Sequence, residues 1–317
     1  MEPVEVSSAL PSPEAYGTAP PPSAGAWLKH GLALAATMVT TTLVGGSHWA
    51  GFVGGPEAAP SLADLGFWID GLRFSAAVLG ILGAHEAGHY LACRYYGVDA
   101  TLPWFLPAPL PLSGTLGAFI KIRGPIPDKR ALFDIAVAGP FAGFVVAVPL
   151  LAIGLVGSKV VPLTGTSEGL ALGRPLIYRA LEWLMLGPIP DGLDVFVHPT
   201  ALAAWFGLLA TALNLFPLGQ LDGGHVTYAV FGARARAITI ATALACLGLA
   251  TLSSSWIVWA GLVIAMTVAT GARHPPTLDD DTPLDTPRLV LAAVAALVFV
   301  LCFTPTPIEP MDLMGGR

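Results

Sequence analysis

The sequence predicts an all-α polytopic membrane protein of about seven transmembrane helices, with a strand-like re-entrant loop between the second and the third. Three observations carry this prediction. The chain is 54% hydrophobic and only 11% charged, against about 25% charged residues in ordinary soluble domains. Its apolar residues collect into segments near the roughly 17 to 25 residues that cross a hydrocarbon core, at about residues 31–52, 72–96, 131–156, 199–217, 236–253, 255–271 and 288–304. Finally, the stretch TLPWFLPAPLPLSGTLGAFIKIRGPIPDKR is too apolar for solvent and too rich in Pro and Gly for a helix. Such backbone survives at membrane depth only where protein or a water-filled cavity satisfies its amides.

Taken in order, residues 1–26 are rich in Pro, Ser and Ala, carry several acids and lack a basic n-region, so they read as a disordered tail rather than a cleavable signal peptide. A membrane domain follows over 27–272, with core spans at 72–96, 131–156 and 199–217. Its fifth and sixth spans are joined only by Ser253, Ser254 and Ser255, which predicts a tight hairpin. Residues 176–186 are apolar but short and interrupted by Arg179 and Glu182, the pattern of an interfacial helix in an external loop. The acidic run LDDDTPLDTP marks 273–287 as a solvated linker. A C-terminal span and short tail complete the chain over 288–317.

Charge placement orients these elements. Arg94, Lys121, Arg123, Lys129 and Arg130 gather around spans two and three, Arg234 and Arg236 follow span four, and Arg273 and Arg288 follow span six. With seven spans all of them fall on one side, which the positive-inside rule makes cytoplasmic. Lys29 and the N-terminus share that side, and Glu309 and Asp312 lie outside. The net charge of −6 says nothing against this, because orientation follows the position of Lys and Arg. Nothing points to a nucleic-acid partner; the expected environment is a lipid bilayer. Cys93, Cys246 and Cys302 are far apart and form no CxxC pair, so no disulfide framework or thiolate zinc site is indicated.

The chemistry sits in span two, in the motif HEAGH. On a helix a four-residue step stacks His85 and His89 on one face, where both imidazoles reach one zinc ion. Glu86 lies beside them, placed to take a proton from metal-bound water. Two histidines and a glutamate in hydrocarbon are costly and mark a functional site. A catalytic zinc takes three protein ligands and keeps an open position. Cys93 continues the same face, but eight residues put it about 12 Å from His85, too far for one metal. Asp222, in LNLFPLGQLDGGH beyond the break at Pro217, is the better candidate, although an Asp-Gly-Gly taken alone is more often a turn.

HEAGH on one span and NLFPLGQLDGG on a later one together resemble the site-2 protease family of intramembrane zinc metalloproteases. The stretch GTLGAFIKIRGPIPDKRALFDIAVAGPFAG, residues 114–143, is similar to its plastid and cyanobacterial branch, the ethylene-dependent gravitropism-deficient proteases. The resemblance covers roughly half of the chain. It implies that Asp222 is the third zinc ligand, that Asn214 helps to stabilise an oxyanion or position the substrate, and that 27–272 is an intramembrane protease domain. It also implies that Gly114, Thr115, Leu116, Gly117, Ala118, Phe119 and Ile120 form a strand that pairs with an unwound transmembrane substrate. For Asn214 a hydrogen bond between helices is an equal reading. His225 is expected to support the site, and His30, His48, His198 and His274 to serve interfacial polar roles.

The expected activity is hydrolysis of peptide bonds in transmembrane proteins near the cytoplasmic face, about 13 Å into the membrane when counted from His85 to Arg94. The expected location is a bacterial inner membrane, with the N-terminus and the opening of the site cytoplasmic. Two other classes carry the same residues less well. A catalytically silent membrane chaperone or scaffold has no need of the full catalytic set, and a metal-dependent transporter is expected to show an inverted repeat and paired broken helices. The sequence fixes no substrate, trigger or oligomeric state.

Overall fold

The structure is a computed structural model and describes residues 21–55, 58–162, 170–251, 256–257, 260–261 and 276–310. It is mostly helical. The helices are α1 (Ala24–Gly54), α2 (Leu65–Tyr95), α3 (Lys129–Val156), α4 (Leu176–Leu186), α5 (Pro199–Asn214), α6 (Asp222–Phe231), α7 (Ala235–Leu249) and α8 (Thr286–Cys302). Each long helix starts where a side chain can accept one of the free N-terminal amides. Ser23 caps α1, Asp64 caps α2, Asp128 caps α3 and Asp285 caps α8. The His198 ring caps α5, its Nδ1 accepting from Thr200 N at 3.1 Å.

Among the described residues, three helical runs are long and apolar enough to cross a membrane: α2, α3 and the run Asp222–Leu249, which joins α6 to α7 through a 3-10 turn at Gly232–Arg234. The expected seven are not all among them. α1 has 31 residues but is diluted by Thr37, Thr40, Thr41, Thr42, Ser47 and His48. At 16 and 17 residues, α5 and α8 rise only about 24 to 26 Å, against a hydrocarbon core of about 30 Å. The expected fifth span begins 14 residues earlier than residue 236, because helix resumes at Asp222 directly after the Pro217 break. The expected hairpin at Ser253, Ser254 and Ser255 and most of the span at 255–271 lie outside the described residues, as do residues 1–20 of the expected tail; α1 already begins at Ala24.

Glycines let the helices approach closely. An added Cβ at Gly71 would strike the Thr42 carbonyl of α1, one at Gly88 the Ala138 carbonyl of α3, and one at Gly154 the Ala201 backbone of α5. Close backbone contact at small residues is how helices gain packing energy without a hydrophobic drive between them. The core gathers where α3 meets α5, around Leu132, Phe133, Leu151, Leu155, Ala204, Trp205 and Leu208. Polar bonds add register: Thr41 Oγ1 and Ser75 Oγ lie 2.7 Å apart between α1 and α2.

The loop between α2 and α3 is strand-like, as its composition predicts. Strand β1 (Trp104–Pro107) pairs antiparallel with β2 (Thr115–Phe119), and no other described strand joins this sheet. Two more two-stranded sheets pair β3 (Lys159–Pro162) with β5 (Leu193–Phe196) and β4 (Leu170–Leu172) with β6 (Ile308–Pro310). The acidic segment does not hang free over its described part. Leu278 N donates to Ile126 O at 3.0 Å, Asp279 N to Pro127 O at 2.8 Å, and Lys129 Nζ to Asp280 O. Tyr228 of α6 donates to Asp280 Oδ2 at 2.5 Å. Beyond it, the buried Arg288 guanidinium pairs with Asp285 and with Asp134 of α3, whose carboxylate also accepts from Tyr96.

Helix α4 holds a buried carboxylate. Glu182 is 7% exposed, receives Arg174 Nη1 at 3.4 Å on Oε2, and has no hydrogen-bond partner on Oε1. Arg174 is shared with Asp194. Burial raises the Glu182 carboxyl above the ordinary glutamate value, and the Arg174 attraction only partly offsets it. A carboxyl raised in the folded state is fully stabilising below its unfolded value and loses that contribution as pH climbs through the folded one. Glu182→Gln is therefore expected to flatten the fall in stability between pH 5 and 8. Thermal unfolding at the two pH values checks this, with a rise of about 2 °C in Tm expected at the upper one.

Candidate metal centre

His85, Glu86 and His89 lie in the C-terminal half of α2 and are all buried. The helical four-residue step brings the two rings together, with Nε2 of His85 and Nε2 of His89 3.1 Å apart. Asp222 enters from the first turn of α6, and its Oδ2 lies 3.3 Å from each of these nitrogens. Pro217 and Gly219 (φ +49°) turn the chain between α5 and α6 so that this can happen. Gly223 and Gly224 lie against the carbonyls of Leu215 and Gly219, where a Cβ would collide; the Asp-Gly-Gly is thus more than a turn.

A second layer holds the rings. His89 Nδ1 is 2.7 Å from the Ile135 carbonyl of α3, which can only accept, so Nδ1 carries the proton and Nε2 offers a lone pair. A Cβ at Gly139 would overlap the His89 ring, and one at Gly143 would meet His85 Cβ at 3.3 Å. Asn214, the last residue of α5, places Nδ2 3.2 Å from His85 Nε2. Ile135, Gly139 and Gly143 were not singled out in the sequence; the glycine pair four apart in AGPFAG was the available signal, since that step lines one helix face.

This arrangement fits a divalent cation. Asp222 Oδ2 is buried and has no hydrogen-bond donor, so lone pairs converge on one point. Ligands bound tetrahedrally to zinc at about 2.0 to 2.1 Å stand about 3.3 Å from one another. The three atoms here stand 3.1, 3.3 and 3.3 Å apart. Among the described residues, no other group of three His, Cys, Asp or Glu side chains is placed to hold a metal ion. Cys93 is buried in a separate apolar cluster, and His225 stands one turn beyond Asp222 on α6, outside the ligand group.

The metal-facing residues open into a cavity of about 230 Å³, bounded by α2, α5, Phe216, Leu218, Leu221, Cys246, Trp256 and the edge of β2. Of the strand residues expected at the site, Leu116, Gly117 and Ala118 line it, and the Ile120 amide faces the Glu86 carboxylate. Gly114 instead packs on the Thr40 and Thr41 backbone of α1 at φ +74°, and Thr115 bonds within the hairpin, its hydroxyl donating to Leu106 O at 2.7 Å. Phe119 does not line the cavity and is 44% exposed. His30 stacks on Trp104, and His48 Nε2 lies 3.0 Å from Leu112 O. His274 lies outside the described residues.

The model of peptidase family M50 matches residues 73–254, which include most of α2, all of α3 and α5, and Asp222. The chain belongs to this family. Similar proteins include "Probable zinc metalloprotease EGY1, chloroplastic" of Arabidopsis thaliana, 34% identical over 77% of this chain and 44% of the relative. "Probable zinc metalloprotease EGY2, chloroplastic" of Oryza sativa subsp. indica is 28% identical over 77% of this chain and 45% of the relative. "Probable zinc metalloprotease EGY3, chloroplastic" of the same subspecies is 31% identical over 74% and 42%. The M50 chain thus spans less than half the length of the curated relatives it matches. Those names locate the relatives in the chloroplast and lend no support to the expected bacterial inner membrane. No solved structure matches.

Proposed function

We propose that the chain is an intramembrane zinc metalloendopeptidase that hydrolyses peptide bonds of transmembrane proteins. The observation that carries this reading is the triangle of His85 Nε2, His89 Nε2 and Asp222 Oδ2 at zinc-ligand spacing, beside a buried glutamate. Membership in a peptidase family and relatives named zinc metalloproteases support it. When bound, zinc supplies Lewis-acid polarisation of a carbonyl and lowers the pKa of water.

The chain's own residues do the rest. Glu86 takes a proton from the attacking water and returns it to the leaving amine. Asn214, which lines the cavity next to His85, donates to the carbonyl oxygen as charge develops there. The free edge of β2 supports pairing with an extended substrate segment, which frees its carbonyls from helical bonds. A substrate helix must unwind to be cut, because its backbone is internally bonded. The site is reached from the side where Arg94, Lys121, Arg123, Lys129 and Arg130 collect, which the positive-inside rule makes cytoplasmic.

Removing the metal tests this directly. Purified protein treated with a zinc chelator is expected to lose cleavage of a designed transmembrane substrate, and zinc returned in stoichiometric amount is expected to restore it. Cleavage that persists in metal-free protein would overturn the reading.

A further inference from the structure

The cavity beside the metal ligands is lopsided in a way that hydrolysis itself does not require. His85, Glu86 and Asn214 supply polar groups to its lining. An apolar wall is formed by Phe216, Leu218, Cys246 and Trp256, all of them buried at 6% exposure or less. Water and a peptide group need the polar groups only. Leu116, Gly117 and Ala118 of β2 line the same cavity, and Gly117 lacks a side chain and leaves open space. Residues of a strand point alternately to its two faces, so a segment laid along β2 directs alternate side chains into that space.

The apolar wall is braced rather than loosely filled. Trp256 Nε1 donates to the Pro305 carbonyl at 2.7 Å. Its ring stands 5.8 Å from Phe216 and 5.9 Å from Phe303, and Phe216 contacts Phe299 of α8 at 5.0 Å. Both of these Phe216 contacts are edge-on, a favoured aromatic geometry, and the Trp256–Phe303 pair is tilted. A cavity of about 150 Å³ holds a benzene ring, so about 230 Å³ accommodates a peptide unit together with one leucine- to phenylalanine-sized side chain. Glu86 is the one Asp, Glu, Lys or Arg side chain that lines it, so an aspartate side chain would be buried there beside a like charge and without a partner.

We propose that this cavity is the subsite for the side chain of a residue flanking the cleaved bond, that it selects a medium-sized apolar side chain, and that Trp256 sets its depth. The inference rests on the metallopeptidase reading and adds the substrate feature that the site measures. Trp256 and Cys246 are specificity-determining residues that touch the substrate side chain, with no part in the proton transfers.

The test uses the full chain in proteoliposomes with bound zinc quantified, and a designed transmembrane substrate whose residue on each side of the cleaved bond is varied through Ala, Leu, Phe, Trp and Asp. Wild type is expected to favour Leu and Phe at one of the two positions by about tenfold in kcat/KM over Ala, with Trp and Asp excluded. Trp256→Ala is expected to admit Trp while losing its preference between Ala and Leu. Cys246→Met, which narrows the cavity, is expected to move the ranking towards Ala, and it serves if Trp256→Ala does not hold zinc. No cleavage of any substrate by zinc-loaded wild type would overturn the peptidase reading and the subsite with it. Cleavage whose ranking is the same in wild type, Trp256→Ala and Cys246→Met would overturn the subsite alone.

Discussion

Glu86→Gln is expected to lower turnover of a transmembrane substrate by about 10³- to 10⁴-fold, the upper part of the range for a general acid and base, while leaving bound zinc at wild-type occupancy. The reason is positional. Glu86 follows His85 on α2 but is not in the ligand triangle, which closes through Asp222 instead. Its carboxylate is buried, lines the cavity and meets the Ile120 amide at the end of β2. In the proposed mechanism two proton transfers pass through this one group, so its loss would affect both attack and departure of the amine. Gln keeps the size of the side chain and removes the base. A variant with normal zinc and normal turnover would leave Glu86 without a catalytic role.

Asp222→Ala is expected to weaken zinc binding by more than about 100-fold, since even the outer partners of metal ligands are worth about 10- to 100-fold. Metal analysis after dialysis against a competing chelator checks it, and full occupancy would remove Asp222 from the ligand set. Cleavage is expected to fall with the metal. The loss goes beyond one bond. Asp222 is the only member of the triangle from outside α2, and its Oδ2 is the atom that lies buried with no donor. Two histidines four residues apart remain, leaving two positions open to water. A structural effect of the substitution is separable, because Asp222→Asn keeps the shape and removes the charge, so it should lose zinc while keeping the helical content and unfolding temperature of metal-stripped wild type.

Much of this site is legible in one dimension, and the reason is helical geometry. A four-residue step on a helix fixes the spacing of two side chains almost without regard to the rest of the fold, so HEAGH announces its own pair. Asp222 is different. Its approach to His85 and His89 depends on the turn at Pro217 and Gly219 and on how α6 meets α3, and the sequence alone offers a common turn motif there. Asn214 stands beside His85, and that proximity is again a matter of where α5 ends. The layer behind the rings, with the Ile135 carbonyl and the bare faces of Gly139 and Gly143, is written only in tertiary contacts. The apolar wall is harder still, because Phe216, Trp256 and Phe303 are far apart in the chain.

The fold shows a similar division. The strand character of the β1 and β2 loop follows from a density of Pro and Gly that leaves no helical run uninterrupted, whereas α3 absorbs its two isolated prolines, Pro140 and Pro149. The number of membrane-crossing helices does not follow as directly, because apolar runs such as α5 and α8 are rich enough in composition but short in length. Hydropathy alone cannot distinguish a short helix packed among others from one that faces lipid. The acidic segment illustrates the other limit. Its charges suggest solvent, yet its backbone amides find carbonyls at the start of α3.

Because the three proposed ligands are split between α2 and α6, occupancy of the centre and the mutual packing of those helices would form a single equilibrium. Free metal at a thousand times its dissociation constant would add about 4 kcal/mol to the folded state, a large share of the roughly 5 to 15 kcal/mol that folded domains possess. On the proposed reading, the supply of the ion would then govern how much of the protein stays folded, quite apart from how fast any one molecule works.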